Sequence, residues 1–229
     1  MSRTNTTSRT SFARPNSVTY DLPNPSSSST VVTIALPPNS TWTSELHWHE
    51  THTEHLRILS GTALVTLSGT TQTYDTTSGT ITIPRYARHE WRRASPDGPP
   101  LIVQEWTDPG DGAKEVFFRN LSSVIEQETK TGPPREWWLT WQLFVIFWGL
   151  DNWPVLLSSG DIPIFGIIIQ KLGFNGWFEW AVTHAVLWAA TLLGWVWGLK
   201  SVYEEYTPER LLRRRILTQG KKETAAKKE

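Results

Sequence analysis

The sequence has no cysteine. Disulfides, thiolate metal ligands and Cys nucleophiles are thereby excluded, and nothing argues for an oxidising compartment. A charge excess is also missing, because 22 Lys and Arg balance 22 Asp and Glu. Without a basic signature, no nucleic-acid partner is expected. The first 29 residues are rich in Ser, Thr, Asn and Pro and hold no apolar run that could act as the core of a secretory signal, so secretion is not expected. Arg3, Arg9 and Arg14 precede the first acid, Asp21, much as in a mitochondrial presequence, but amphipathic helical periodicity is missing. Residues 1–29 are therefore expected to form a disordered tail rather than a transit peptide.

At 229 residues the chain has room for one ordinary domain and an appendage. From about Thr30 to Trp106 it consists of short runs rich in β-branched residues, at 30–36, 56–59, 62–67 and 80–83, with a late one at 101–106. Pro-Pro, Ser-Gly and Asp-Thr-Thr-Ser-Gly turns separate them and no helical pattern intervenes. This predicts a mainly β fold, a sandwich or small barrel. Gly61, Gly69 and Gly79 stand where tight turns require positive φ. Over 113–128 the period changes, and Phe117, Leu121, Val124 and Ile125 fall on one helical stripe. That helix is expected to lie on the barrel, completing a unit of 30–130 that Thr131-Gly132-Pro133-Pro134 terminates.

Residues 131–200 have a lipid-like texture and read as a membrane-associated helical region. Ten of the 14 Trp lie between Trp137 and Trp197. Residues 177–199 carry only Glu179 and His184 as ionisable groups, and they reach the roughly 20 residues that a bilayer crossing needs. Trp177 and Trp180 stand at one end and Trp195 and Trp197 at the other, as in an aromatic belt. Residues 137–157 form a weaker span containing Asp151 and Pro154, while 162–169 is too short to cross alone. After Leu199, nine Lys and Arg stand against five Asp and Glu, so the basic tail at 201–229 should face the cytosol. The barrel should share that side, which requires an even number of crossings. C-terminal apolar helices forming a transmembrane hairpin fit best, the alternative being a greasy subdomain packed on the barrel. The expected location is an intracellular membrane. Inside the long helix, His184 is expected to bond a neighbouring helix.

The chemistry concentrates in His47-Trp48-His49-Glu50-Thr51-His52-Thr53-Glu54, followed by Gly61 and answered by His89. Strand alternation turns His47 and His49 to one side and Trp48 to the other. A short turn then lets Glu54 return to the same pocket. Three imidazoles and one carboxylate suit Fe(II), Mn(II), Ni(II), Cu(II) or Zn(II). Alternatively, the four groups hydrogen-bond in a metal-free small-molecule pocket. His52, in the turn, and His55, of opposite parity to Glu54, read as rim or surface residues. Trp91 shares the parity of His89 and is expected to line the substrate pocket or else belong to the core. Tyr86, at the pocket lip, is a candidate catalytic acid or substrate-orienting group, or an ordinary turn aromatic. Glu105 shares parity with Leu101 and Val103 and is read as a buried pocket carboxylate beside the ligands.

The spacing His47-x-His49-x4-Glu54-x6-Gly61, followed by Gly79-x4-Pro84-x4-His89, resembles the two signature motifs of the cupin superfamily. Departures are Thr41 and Tyr86 in place of Gly, Arg93 in place of Asn, and a Gly-to-Pro gap one residue short. All four ligand positions are filled. The resemblance implies a small jelly-roll β-barrel with a central divalent metal held by His47, His49, Glu54 and His89. It also implies a tendency of such barrels to pair through their sheets as homodimers.

Phe117-Phe118-Arg119-Asn120, a Pro-bearing stretch at 151–163 and Tyr203-x-x-Tyr206-Thr207-Pro208-Glu209 extend the similarity over about 30–210. Over that range the chain looks like fungal cupin-domain proteins, some described as oxidoreductases of natural-product biosynthesis. The implied activity is a metal-dependent oxidoreductase or oxygenase acting on a small apolar metabolite, with Glu54 tuning the metal or accepting a proton. The alternatives are a cupin isomerase, cyclase or lyase using the metal as a Lewis acid, and a non-enzymatic, membrane-anchored ligand-binding protein. One fold hosts many chemistries.

Overall fold

Two-residue periodicity builds most of the molecule. In the computed structural model, which describes residues 3–130, 136–158 and 175–215, two antiparallel sheets face one another. The first has the order β1 (Ser11–Arg14), β2 (Val18–Asp21), β3 (Val32–Leu36), β10 (Leu101–Asp108), β5 (Thr53–Ser60), β8 (Thr80–Ile83). The second has the order β11 (Trp153–Pro154), β4 (His47–Trp48), β9 (His89–Arg93), β6 (Ala63–Leu67), β7 (Thr70–Tyr74). Val32, Ile34 and Leu36 of β3 alternate inward with Leu101 and Val103 of β10 and Leu56 and Ile58 of β5, making a core between the sheets. This is a mainly β, cupin-like two-sheet fold.

The turns work as their residues require. Gly61, Gly69 and Gly79 all take positive φ. At Gly61 an added Cβ would stand 2.9 Å from the Pro100 carbonyl oxygen, so the β5–β6 turn needs glycine for space as well as for conformation.

Residues 3–29 are not the tail that the composition of 1–29 suggests. Phe12, Val18, Tyr20 and Leu22 are buried, and the β1–β2 hairpin extends the first sheet by pairing Thr19, Tyr20 and Asp21 with Ala35, Ile34 and Thr33. Sparse apolar residues at alternate positions suffice here because a neighbouring helix supplies the rest. That helix is α1 (Ala113–Lys130), whose buried Arg119 donates to the carbonyls of Arg9 and Pro23. Residues 201–215 also pack inward: Tyr203, Tyr206 and Leu211 are buried and Arg210 pairs with Glu115 at 2.7 Å.

The helical region belongs to the same unit. α2 (Glu136–Gly149) packs on α1, β11 follows it, and α3 (Asn175–Val196) lies along α2. β11 pairs with β4, setting Trp153 opposite Trp48 and Pro154 opposite His47. The expected transmembrane hairpin is therefore corrected: no helix among the described residues is long and apolar enough to cross a membrane. α2 has 14 residues, about 21 Å at 1.5 Å per residue against a hydrocarbon core of about 30 Å. On α3, Glu179 is bound to Arg88 and His184 lies against Glu50, so both turn to the barrel. The boundary placed at 131–134, the short apolar run at 162–169 and the tail beyond 215 lie outside the described residues.

Candidate metal centre

His47 and His89 stand opposite one another as cross-strand partners on β4 and β9, and Glu54 enters from β5 of the facing sheet. His49 lies one residue past the end of β4. All four are buried, and one ligand atom from each lies within 4.8 Å of the others.

Each imidazole is held by its Nδ1. His47 Nδ1 is 2.7 Å from the Glu45 carbonyl oxygen, His49 Nδ1 is 2.5 Å from that of Asp151, and His89 Nδ1 is 3.0 Å from that of Ala87. A carbonyl only accepts, so Nδ1 carries the proton and Nε2 keeps its lone pair. Metal-binding histidines are set in this way. Burial, reinforced by the neighbouring imidazoles, holds His47 well below its ordinary pKa. Burial followed by the Lys114 charge lowers His49. Neutral rings with inward lone pairs are what a divalent cation requires. Glu54 Oε1 and His89 Nε2 lie 3.3 Å apart, are fully buried and make no hydrogen bond, as expected of atoms shaped for a shared cation. The donor set thus fits a divalent metal.

One buried cation already faces the cluster. Lys114, in the first turn of α1, contacts Glu54 Oε2, lies 2.6 Å from Glu105 Oε1 and points to His49 Nε2 at 3.4 Å. Burial opposes ionisation of Glu54, but the Lys114 ammonium and the contacts with the neighbouring imidazoles outweigh it and hold the carboxyl well below its usual range. Burial and then the Glu54 charge push Glu105 up to about 7. Burial would lower Lys114, yet Glu105 and Glu54 raise it. Sequence reasoning missed Lys114. Its signal was available: it precedes Phe117, Phe118 and Leu121 by three, four and seven residues, so it stands as a charge on the apolar face of α1.

The other candidate residues fall as follows. Glu105 is buried beside the cluster and lines a cavity of about 400 Å³ with His47 and Lys114. Phe117, Phe118 and Leu121 of α1 and Leu143 and Phe147 of α2 supply its apolar wall. Trp91 does not line this cavity; its ring packs 5.0 Å from that of Trp42 in the core. Tyr86 does not join the cluster either. Its side chain is 53% exposed, its φ is 64°, and it contributes a backbone N–H donated to the His49 carbonyl at 2.7 Å. The left-handed conformation that glycine would supply is kept by a tyrosine. Arg93 is buried and donates to the carbonyls of Leu36, Ser95, Asp97 and Pro99, tying down the loop before β10.

His52 is no rim residue. Nearly buried, it lies 2.7 Å from Asp151 Oδ2 and 3.3 Å from Asp111 Oδ2. Burial opposes its protonation, but these two carboxylates raise it to about 9. Asp151 also accepts from the backbone N–H groups of Glu50 and Thr51. Asp151, two residues past the end of α2, thus holds the metal-motif loop through its side chain and His49 through its carbonyl. His55 is half-buried and stacks on Trp106. Among the described residues His184 makes no hydrogen bond to a neighbouring helix; its Nδ1 lies 2.9 Å from the Trp180 carbonyl oxygen of its own helix, and the ring is stacked between Trp153 and Trp180.

No family model and no curated protein matches this chain. Solved structures do. A protein of Acidithiobacillus ferrooxidans proposed to be a sugar phosphate isomerase shares 20% identity over 33% of this chain and 46% of its own, at a TM-score of 0.28. A predicted oxalate decarboxylase of Thermotoga maritima shares 21% over 33% and 61%, at 0.29. KdgF from Halomonas sp. shares 16% over 42% and 82%, at 0.32. The chain therefore spans about half to three-fifths of the length of the first two. At these values the likeness carries nothing about substrate or reaction, and the cupin-like character rests on the two facing sheets and the four-residue cluster between them.

Proposed function

We propose that this chain is a metal-dependent cupin-type oxidoreductase or oxygenase acting on a small apolar metabolite. The observation that carries the reading is the set of three imidazoles whose Nδ1 atoms are tied to carbonyls, so that their Nε2 atoms and Glu54 converge in a buried space. His47, His49, Glu54 and His89 would hold the ion. A bound Fe, Mn, Cu, Ni or Zn ion would supply Lewis acidity and, for the first three, redox chemistry. The chain supplies the rest. The cavity against α1 and α2 would take an apolar body through Phe117, Phe118 and Phe147, while His47, Glu105 and Lys114 form its polar end. The resemblance of the motifs and the C-terminal segments to fungal proteins of natural-product biosynthesis supports secondary metabolism as the setting.

A second reading is favoured by Lys114 and Glu105, an ammonium and a carboxyl 2.6 Å apart at the end of the cavity. Such a pair can hold and pass a proton, which suits an isomerase, cyclase or lyase. Metal content of protein purified without added metal or chelator, beside His47→Ala and His89→Ala, tests the site. Near-stoichiometric metal lost in both variants is the expected result. No metal in any of the three, with folding intact, would leave a metal-free ligand-binding protein. Oxygen consumption with the metal-loaded protein then separates the oxidative reading from the proton-transfer one.

A further inference from the structure

α3 has two unlike sides. One is fastened to the protein along its length. Arg88 pairs with Glu179 at 2.9 Å, Thr183 Oγ1 donates to the Pro154 carbonyl at 2.7 Å, and the Trp141 indole N–H donates to the Ala190 carbonyl at 2.8 Å. Thr183, Leu187, Ala190 and Gly194 form its buried stripe, and a Cβ added at Gly194 would stand 2.9 Å from a Val145 methyl. The other side is bare of partners among the described residues. Trp188, Leu192, Leu193, Trp195 and Val196 are exposed, Trp195 at 78% and Val196 at 68%. No Asp, Glu, Lys or Arg occurs in 180–199. A contiguous apolar face of this kind marks an interaction surface.

The chemistry of the face selects its occupant. Tryptophan combines an apolar body with an N–H that needs a polar partner, and it concentrates where acyl chains meet headgroups. Exposed Trp137 and Trp197 add to the same end of the α2–α3 pair, where the Trp197 ring lies 5.3 Å from that of Trp141. Cations border that end. Lys200 and Arg215 line a cavity of about 570 Å³ with Trp195, Leu199 and Leu212, and Glu204 is the acid in its wall. A crossing orientation is closed to α3, since it would draw Arg88, Glu50 and the second sheet into hydrocarbon.

We propose that α3 docks in the plane of the membrane interface, with its tryptophan face toward the acyl chains and Lys200 and Arg215 toward anionic phospholipid headgroups. This attachment is one-sided, as in other interfacial helices, and is independent of the metal site.

Flotation of the full-length protein with phosphatidylcholine vesicles, with and without phosphatidylserine, tests it. Flotation is expected with both compositions and stronger with phosphatidylserine. Leu193→Lys with Trp195→Lys, both at exposed positions, should lower it by about tenfold or more. Tryptophan fluorescence should be quenched more by lipids brominated near the headgroup than by those brominated at the chain end. Flotation that the double variant leaves unchanged would overturn the proposal, as would quenching strongest at the chain end. So would a protein that binds neither vesicle, whether it proves monomeric or proves to be a dimer that the double variant splits.

Discussion

Lys114 carries the charge balance of the cluster. It sets one ammonium against Glu54 and Glu105, both buried. Lys114→Met leaves two carboxylates without their cation, which should cost about 3–5 kcal/mol in metal-free protein. Added divalent metal should then raise the melting temperature of the variant more than that of the wild type, because a second cation replaces the first. Thermal melts with and without metal check both statements. Tyr86 makes the opposite case. At φ 64° with an exposed ring, it occupies a conformation that glycine adopts without strain. Tyr86→Gly should be neutral or stabilising by up to about 1 kcal/mol and should leave metal content unchanged. A loss of metal or of activity in that variant would restore Tyr86 to the site.

At the scale of elements, the segment after α2 is what joins helices to metal motif. β11 adds to the free side of β4, and Asp151 bonds His52, the Glu50 and Thr51 amides and, through its carbonyl, His49. A chain cut after Lys130 keeps His47, His49, Glu54 and His89 but loses this support. Weakened folding and at least a tenfold loss of metal affinity are expected, on the scale seen when partners of metal-binding histidines are removed. Asp151→Ala, read by metal titration and thermal melts, isolates the side-chain part of that loss. These contacts were hidden in the sequence because Asp151 stands 99 residues from His52 and lies outside the motif. Strands β3, β5, β6, β8 and β10 were legible, since their alternation is strong. β7, written Thr-Thr-Gln-Thr-Tyr, has no apolar alternation, and the two-residue β11 has no periodicity at all.

For the whole molecule, pH should act through the cluster of His52, Asp111 and Asp151. The folded pKa of His52 is raised from 6.5 to about 9. Its contribution to stability is therefore complete below about 6.5 and lost as pH rises through about 9. Asp111 and Asp151 are lowered from 3.8, chiefly because their bonds to His52 overcome the effect of burial. Their contribution is complete above that value and lost as pH falls through their folded pKa values. Melting temperatures should thus be highest between about pH 4 and 6.5 as far as this cluster governs them, and His52→Gln should flatten the alkaline decline.

The cluster of His47, His49, Glu54 and His89, the β text and the glycine turns could be read from the sequence alone, because spacing and alternation are local and the chemistry of His and Glu does not depend on what surrounds them. Tertiary structure decided the rest. Whether an apolar helix crosses a bilayer or lies against a barrel depends on which side its few polar residues meet, and Glu179 and His184 meet Arg88 and Glu50. Whether a Ser- and Thr-rich start is loose or forms a strand depends on an open sheet edge and a covering helix. Lys114 and Asp151 reach the metal cluster only through folding, which brings α1 and the end of α2 against strands that lie some 60 to 100 residues away in sequence.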